Sequence, residues 1–288
     1  MLIDTIAIVG VGLIGGSIGL ALKRRRVTRR VVGVGRRAAS LRAARRLGAI
    51  DHGTLDLGRG VADAELTIFC TPVDLIADQA RAAAASCPSG AIFTDSGSTK
   101  ARIVARLETG LPNDVNFVGS HPLAGSEKRG VAEARPDLFD GRVCVVTVTP
   151  QTPLQALAVV KSLWRSIGAR VLTMSPEAHD AALAFTSHLP HLAAAALSIA
   201  LPEKYNELIA TGFRDTTRIA ASDPDLWTAI FVENAGPLLR SLTSFEQTLR
   251  EFRTALKSRD TQRLRQLWKQ SHAKRQELAQ REGIHEDD

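Results

Sequence analysis

The chain has only three cysteines in 288 residues. Cys70, Cys87 and Cys144 are an odd number without metal-ligand spacing, which offers neither a disulfide framework nor a metal site and fits a reducing cytoplasm. No uninterrupted apolar run approaches the ~20 residues that cross a bilayer, so no membrane span is expected. The start, MLIDTIAIVG, has an acid ahead of its short apolar run and no small-residue cleavage site. It reads as a first strand rather than a signal peptide. Acidic residues are absent from Thr5 to Ile50, while Lys23, Arg24, Arg25, Arg26, Arg29, Arg30, Arg36, Arg37, Arg42, Arg45 and Arg46 crowd the same stretch. A nucleic-acid surface would interleave aromatic side chains with such cations. None falls here, so most of these residues read as a solvated basic helix and turn.

What is present is an alternation. TIAIVG, RVVGVG, AELTIFCTP, GAIFTDSGS, VNFVGSHP, RVCVVTVTP and ARVLTMS are strand-like runs. Between them VGLIGGSIGLALKRR, AASLRAARRLG, DLIADQARAAAASC, TKARIVARLETG and PLQALAVVKSLWRSIG have helical apolar spacing. That order predicts an α/β domain, a Rossmann-like doubly wound and mainly parallel sheet with right-handed crossovers. After Ser175 the strand-like runs stop and the stretches are helical, several of them apolar on more than one face. Such helices are buried from two sides. A boundary near Met174 is expected, with residues 1–174 binding a dinucleotide and residues 175–288 forming a helical domain that is partly a subunit interface.

Gly10, Gly12 and Gly15 stand in G-x-G-x-x-G spacing, directly after a strand and opening a helix that starts at Leu13 and Ile14. Gly10 permits the tight turn, Gly12 lets the backbone approach a pyrophosphate, and Gly15 lets helix and strand pack closely. About 20 residues on, a carboxylate should hold the ribose 2′-hydroxyl of NAD. The sequence has Gly35, Arg36 and Arg37 there instead. Guanidinium groups pair with a 2′-phosphate in a fork geometry, so NADP is the expected cofactor, with NAD as the alternative.

Unusual polar residues collect in three segments: TDSGSTK (94–100), GSHPLAGSEKRG (119–130), and SHLPHLA with GFRDTTRIAASDPDLW in the helical half. The first two fall at strand ends, where open α/β sheets bind ligands. With GVGLIGGSIGLAL, CTPVD, DSGSTK, HPLAGSEKRG, SHLPH and FRDTTRIAASDPDLW, the chain resembles the prephenate and arogenate dehydrogenases of tyrosine biosynthesis over nearly its whole length. The resemblance implies oxidative decarboxylation of prephenate or arogenate with NAD(P) by a cytoplasmic homodimer, without metal. It implies that His121 accepts the hydrogen bond of the ring hydroxyl and that Ser98 orients His121 beside the nicotinamide. Arg218 would bind a substrate carboxylate, and His191 would face the substrate side chain. Trp227 would wall the pocket, and Thr71 and Pro72 would line the cofactor. Arg214 and Asp215 resemble a pair that reaches a neighbouring subunit's site, whereas His188 reads as structural. Glu127 favours the ammonium of arogenate over the keto group of prephenate, although relatives with an acid there use prephenate; a broad cyclohexadienyl dehydrogenase is expected. With no regulatory domain after the helices, any feedback by tyrosine is expected to compete at the active site. Two alternatives stay open. Another β-hydroxyacid dehydrogenase would need a catalytic lysine from the helical half, and a non-catalytic NADP-binding protein would have no use for Ser98, His121 and Arg218 together.

Overall fold

The computed structural model describes residues 3–125 and 128–283. The chain begins with β1 (Ile3–Val9), buried at every position but Asp4, as the middle strand of a parallel sheet must be. It continues through α1 (Leu13–Arg24), β2 (Thr28–Val34), α2 (Ala38–Arg46), β3 (His52–Thr54), α3 (Leu57–Val61), β4 (Leu66–Phe69), α4 (Val73–Ala84), β5 (Ile92–Asp95), α5 (Ala101–Leu107) and β6 (Asn116–Val118). The six strands pair in parallel in the order β3-β2-β1-β4-β5-β6. This is the Rossmann-like arrangement expected, and its order reverses between β1 and β4, where such sheets bind ligands. The short β3 and α3 do not show in the sequence pattern. DHGTLDLGRG holds too few apolar residues for either period.

VNFVGSHP, expected as one strand, is two. β7 (Ser120–Pro122) leaves the large sheet and pairs antiparallel with β8 (Val143–Thr147), which pairs parallel with β9 (Arg170–Met174) across α6 (Leu154–Ser166). Gly119 makes the step. A Cβ there would lie 2.6 Å from Thr147 Oγ1 and 2.9 Å from Val104 Cγ2. The fold therefore has a six-stranded parallel sheet and a three-stranded mixed one. Ile6, Ile8, Ile18, Leu22, Phe139 and Trp164 fill the core on one face of the large sheet. Phe69, Ile76, Phe93 and Ile103 fill it on the other, each such side chain contributing roughly 1.5–3 kcal/mol.

From Pro176 on the chain is helical: α7 (Pro176–Leu183), a π turn at Ala184–His188, α8 (Leu189–Ala200), α9 (Thr211–Thr217), α10 (Pro224–Glu233), α11 (Ala235–Lys257) and α12 (Thr261–Gly283). Ser175 caps α7 by accepting the Ala178 N–H at 3.1 Å. The π turn precedes Pro190, which has no N–H and would clash with the carbonyl four residues back, so the helix widens there. Taken as one helix, Pro176–Ala200 is apolar and long enough by composition to cross a membrane, with a mean hydropathy of 1.3. The helix carries Asp180 and His188, both buried and hydrogen-bonded within the protein, while Phe185, Leu197 and Ile199 are exposed.

Two compact units divide the chain, residues 1–238 and 239–288. Within the first, α7 is bonded to α5 through Asp180 and α10 buries Ile230 among α4 and α5 side chains, so α7 to α10 are held to the sheet. Within the second, Asp260 Oδ1 accepts the Arg263 N–H at 2.9 Å, and the Arg263 guanidinium pairs with Glu251 at 2.5 Å.

Candidate active site

The glycine loop is shaped as its spacing requires. Gly10 has φ +96°, and a Cβ on it would sit 2.6 Å from the Cys70 carbonyl oxygen. A Cβ on Gly15 would lie 2.2 Å from the Gly10 carbonyl oxygen, while one on Gly12 would meet nothing within 4 Å. Gly12 borders a cleft of about 340 Å³ that Gly10, Gly35, Arg36, Arg37, Thr71 and Pro72 also line. The first turn of α1 holds no acid, so its N–H groups suit a pyrophosphate. Leu13 and Ile14 are not among the cleft residues; half-buried against the core, they have backbone N–H groups to offer at the helix start. Ser40, in the first turn of α2, lines the cleft beside the two arginines. The sequence hint for it was only a small polar residue after the pair.

A second cleft, of about 620 Å³, holds His121 from β7 together with Arg218, His191 and Trp227 from the helical half. His121 Nδ1 lies 2.9 Å from His179 Nε2, and His179 Nδ1 lies 2.8 Å from Asp180 Oδ1. The group bonded to the His121 Nδ1 is thus His179, not Ser98, which sits half-buried between β5 and α5. Sequence gave little warning of this, since His179 is 58 residues away on a helix that reads as apolar. Beneath the histidines, Lys100 and Asp95 form a fully buried ion pair. Asp95 also accepts the Ser120 N–H at 3.0 Å and the Gly97 N–H at 2.9 Å. DSGSTK therefore ties the end of β5 to the start of β7. Removing one partner of such a pair leaves a buried charge and costs about 3–5 kcal/mol.

Two family models cover the chain: the prephenate dehydrogenase nucleotide-binding domain over residues 18–173 and the prephenate dehydrogenase dimerization domain over residues 175–270. The chain belongs to the prephenate dehydrogenase family. It is 37% identical over 278 residues to the cyclohexadienyl dehydrogenase of Zymomonas mobilis, covering 94% of each chain. A solved prephenate dehydrogenase of A. aeolicus, in complex with hydroxyphenyl propionate and NAD+, superposes with a TM-score of 0.90 at 32% identity, over 96% of this chain and 99% of that one. The arogenate dehydrogenase of Synechocystis superposes with a TM-score of 0.80 at 29% identity, over 95% and 99%. As a prephenate dehydrogenase family member the chain is an oxidoreductase with a nicotinamide cofactor, and the two alternatives left open by the sequence fall away.

His191 stacks on Trp227, ring centroids 3.5 Å apart, and its Nδ1–H donates to the Ser187 carbonyl at 2.9 Å. Burial lowers its pKa, and the Arg218 charge adds to that. Arg214 is exposed on α9 and is not among the residues lining this cleft. Glu127 lies outside the described residues. Lys128 and Arg129, at the end of GSHPLAGSEKRG, line the cleft, and Arg129 pairs with Asp223 at the cap of α10. Among the described residues no cluster of His, Cys, Asp or Glu could hold a metal ion.

Burial lowers the pKa of His121 well below the usual imidazole value, and the nearby charges of His179, Lys100 and His188 act in the same direction. His179 is lowered by burial, against the opposing pull of Asp180. His188 is buried, its Nδ1 accepts from Asn234 at 2.9 Å, and burial brings its pKa to about 4. A histidine depressed in the folded state leaves the unfolded chain binding more protons, so stability is full above the usual value of 6.5 and falls as pH drops toward 4. His188 alone contributes a loss of about 3 kcal/mol over that window. Urea midpoints measured at pH 7 and pH 5 should show it, and His188→Asn, which retains an acceptor for Asn234, should shrink the difference. An unchanged difference would remove His188 as its source.

Proposed function

We propose that the second cleft binds prephenate or arogenate and that His121 and Arg218 carry the reaction there. The observation that supports this is the meeting of an imidazole from the sheet half and a guanidinium from the helices in one cleft. A nicotinamide, when bound, supplies the hydride acceptor. The protein's work is to hold the dianionic dienol, align its carbinol hydrogen and take the hydroxyl proton, while loss of the ring carboxylate as carbon dioxide aromatises the ring. His121, neutral near pH 7, receives that proton. Arg218 pairs with a carboxylate, and His191 and Trp227 wall the side chain. Ser98 is left a place on the nicotinamide side. Glu127 keeps its proposed part in telling an ammonium from a keto group, and Arg214 its part at a neighbouring site.

NADP is the cofactor favoured by Arg36, Arg37 and Ser40 around a cleft whose lining contains no carboxylate. The three free cysteines favour a cytoplasmic setting. Residues 1–174 serve as the dinucleotide domain and residues 175–288 as the substrate and dimerisation domain. Exposure of Ile199 at 85%, Leu208 at 78% and Val232 at 61% supports a homodimer through the helices.

The test is absorbance at 340 nm with both cyclohexadienols crossed with both cofactors. We expect turnover with each substrate and a higher kcat/KM with NADP. Replacing Arg36 and Arg37 together with Gln should lower kcat/KM for NADP by about 100-fold, the size of two lost charge-assisted contacts, and leave NAD within about threefold. Silence with both substrates would end the functional proposal; a preference for NAD would end only the cofactor part.

A further inference from the structure

We infer that Asp180 and His179 act as positioning residues that fix the tautomer of His121, leaving its Nε2 bare to accept the substrate's hydroxyl proton. This rests on the role of His121 proposed above. The inference follows from counting donors. Asp180 Oδ1 accepts the Lys100 N–H at 2.7 Å, and Oδ2 accepts the Ala101 N–H at 2.8 Å. An oxygen already engaged as an acceptor can bond His179 Nδ1 at 2.8 Å only if that nitrogen carries a proton. His179 is buried and neutral, so its Nε2 has none. The 2.9 Å contact with His121 then requires the proton on His121 Nδ1. The His121 Nε2 is therefore the free lone pair, on a residue lining the cleft that holds Arg218. When the substrate O–H bond breaks, its proton goes to that Nε2. The resulting imidazolium keeps its Nδ1–H bond to His179, and the carboxylate behind offsets the charge.

The other groups facing the pair do not supply this. Lys100 is paired with Asp95 below. His188 is held by Asn234. The Cys144 thiol is kept protonated by burial. Asp180 is also well fixed: Asn234 Nδ2 donates to its backbone carbonyl at 2.9 Å, so both ends of the residue are held.

Three variants test the inference. In Asp180→Ala the oxygen that accepts from His179 Nδ1 is gone, and nothing holds the proton on that nitrogen. His179 can then carry its proton on Nε2, and the Nε2–H form of His121 gains population at the expense of Nδ1–H. We expect kcat to fall by about 100-fold or more, with substrate KM and cofactor Kd within about threefold. The residual rate should climb with pH where the wild type is level. His179→Leu should match this loss, while His179→Gln, whose amide oxygen can accept from His121, should stay within about tenfold of the wild type. Should Asp180→Ala fail to fold, the contrast between the two His179 variants decides. ¹⁵N NMR of ring-labelled histidine reads the tautomer without turnover: Nδ1–H for His121 in the wild type and in His179→Gln, and a gain of Nε2–H in Asp180→Ala. An unchanged His121 tautomer in Asp180→Ala, or a loss under threefold in His179→Leu, overturns the inference. Absent turnover in a wild type whose His121 still shows Nδ1–H would instead fault the substrate assignment.

Discussion

His121→Asn should lower kcat by about 10²- to 10⁴-fold, the usual contribution of a positioned general base. Asparagine places its amide nitrogen where Nδ1 stood, so the bond to His179, 2.9 Å in the wild type, has a substitute donor and only the base is lost. Substrate KM should therefore move by less than about fivefold, because the cleft and its cations stay in place. The wild-type kcat/KM profile should carry the matching signature. A neutral imidazole is required, and burial holds its pKa well below 6.5. Activity should then persist undiminished through pH 6.5, with the acid limb appearing only below it and vanishing in the variant. Initial rates at 340 nm across pH 5 to 9 read both quantities. A loss smaller than tenfold, or an acid limb that survives in His121→Asn, would assign the proton to another group.

Arg218→Gln should act on the other kinetic constant. A guanidinium that meets a substrate carboxylate in a partly closed cleft contributes about 3 kcal/mol to binding, since the anion otherwise loses water without gaining a partner. KM should rise by about 100-fold while kcat changes by less than about fivefold. Arg218→Lys should fall between, because an ammonium keeps the charge and loses the two-pronged geometry. Arg218→Gln also removes a cation that lowers the pKa of His191, so the His191 titration should shift upward in NMR in that variant. A KM left within threefold by Arg218→Gln would place the carboxylate on Lys128 or Arg129, which line the same cleft.

The legible parts of this protein are those whose causes are short-range. A run of buried residues in β1, a glycine where φ must be +96°, and another where a Cβ would strike a carbonyl at 2.2 Å are local demands. They leave local marks, so the dinucleotide loop and the missing ribose carboxylate could be read directly. Tertiary structure decided the rest. Gly119 splits one apparent strand between two sheets because Thr147 and Val104 crowd it from distant segments. His179 and Asp180 look like interruptions of an apolar helix until α7 is laid on α5, where two backbone N–H groups engage the carboxylate and the imidazole reaches β7. Hydrogen bonds between residues 58 and 80 positions apart leave no periodicity or spacing in the chain. Their partners are chosen by packing, so composition and order alone determined the fold and the kinds of side chain available, and folding decided which of them touch.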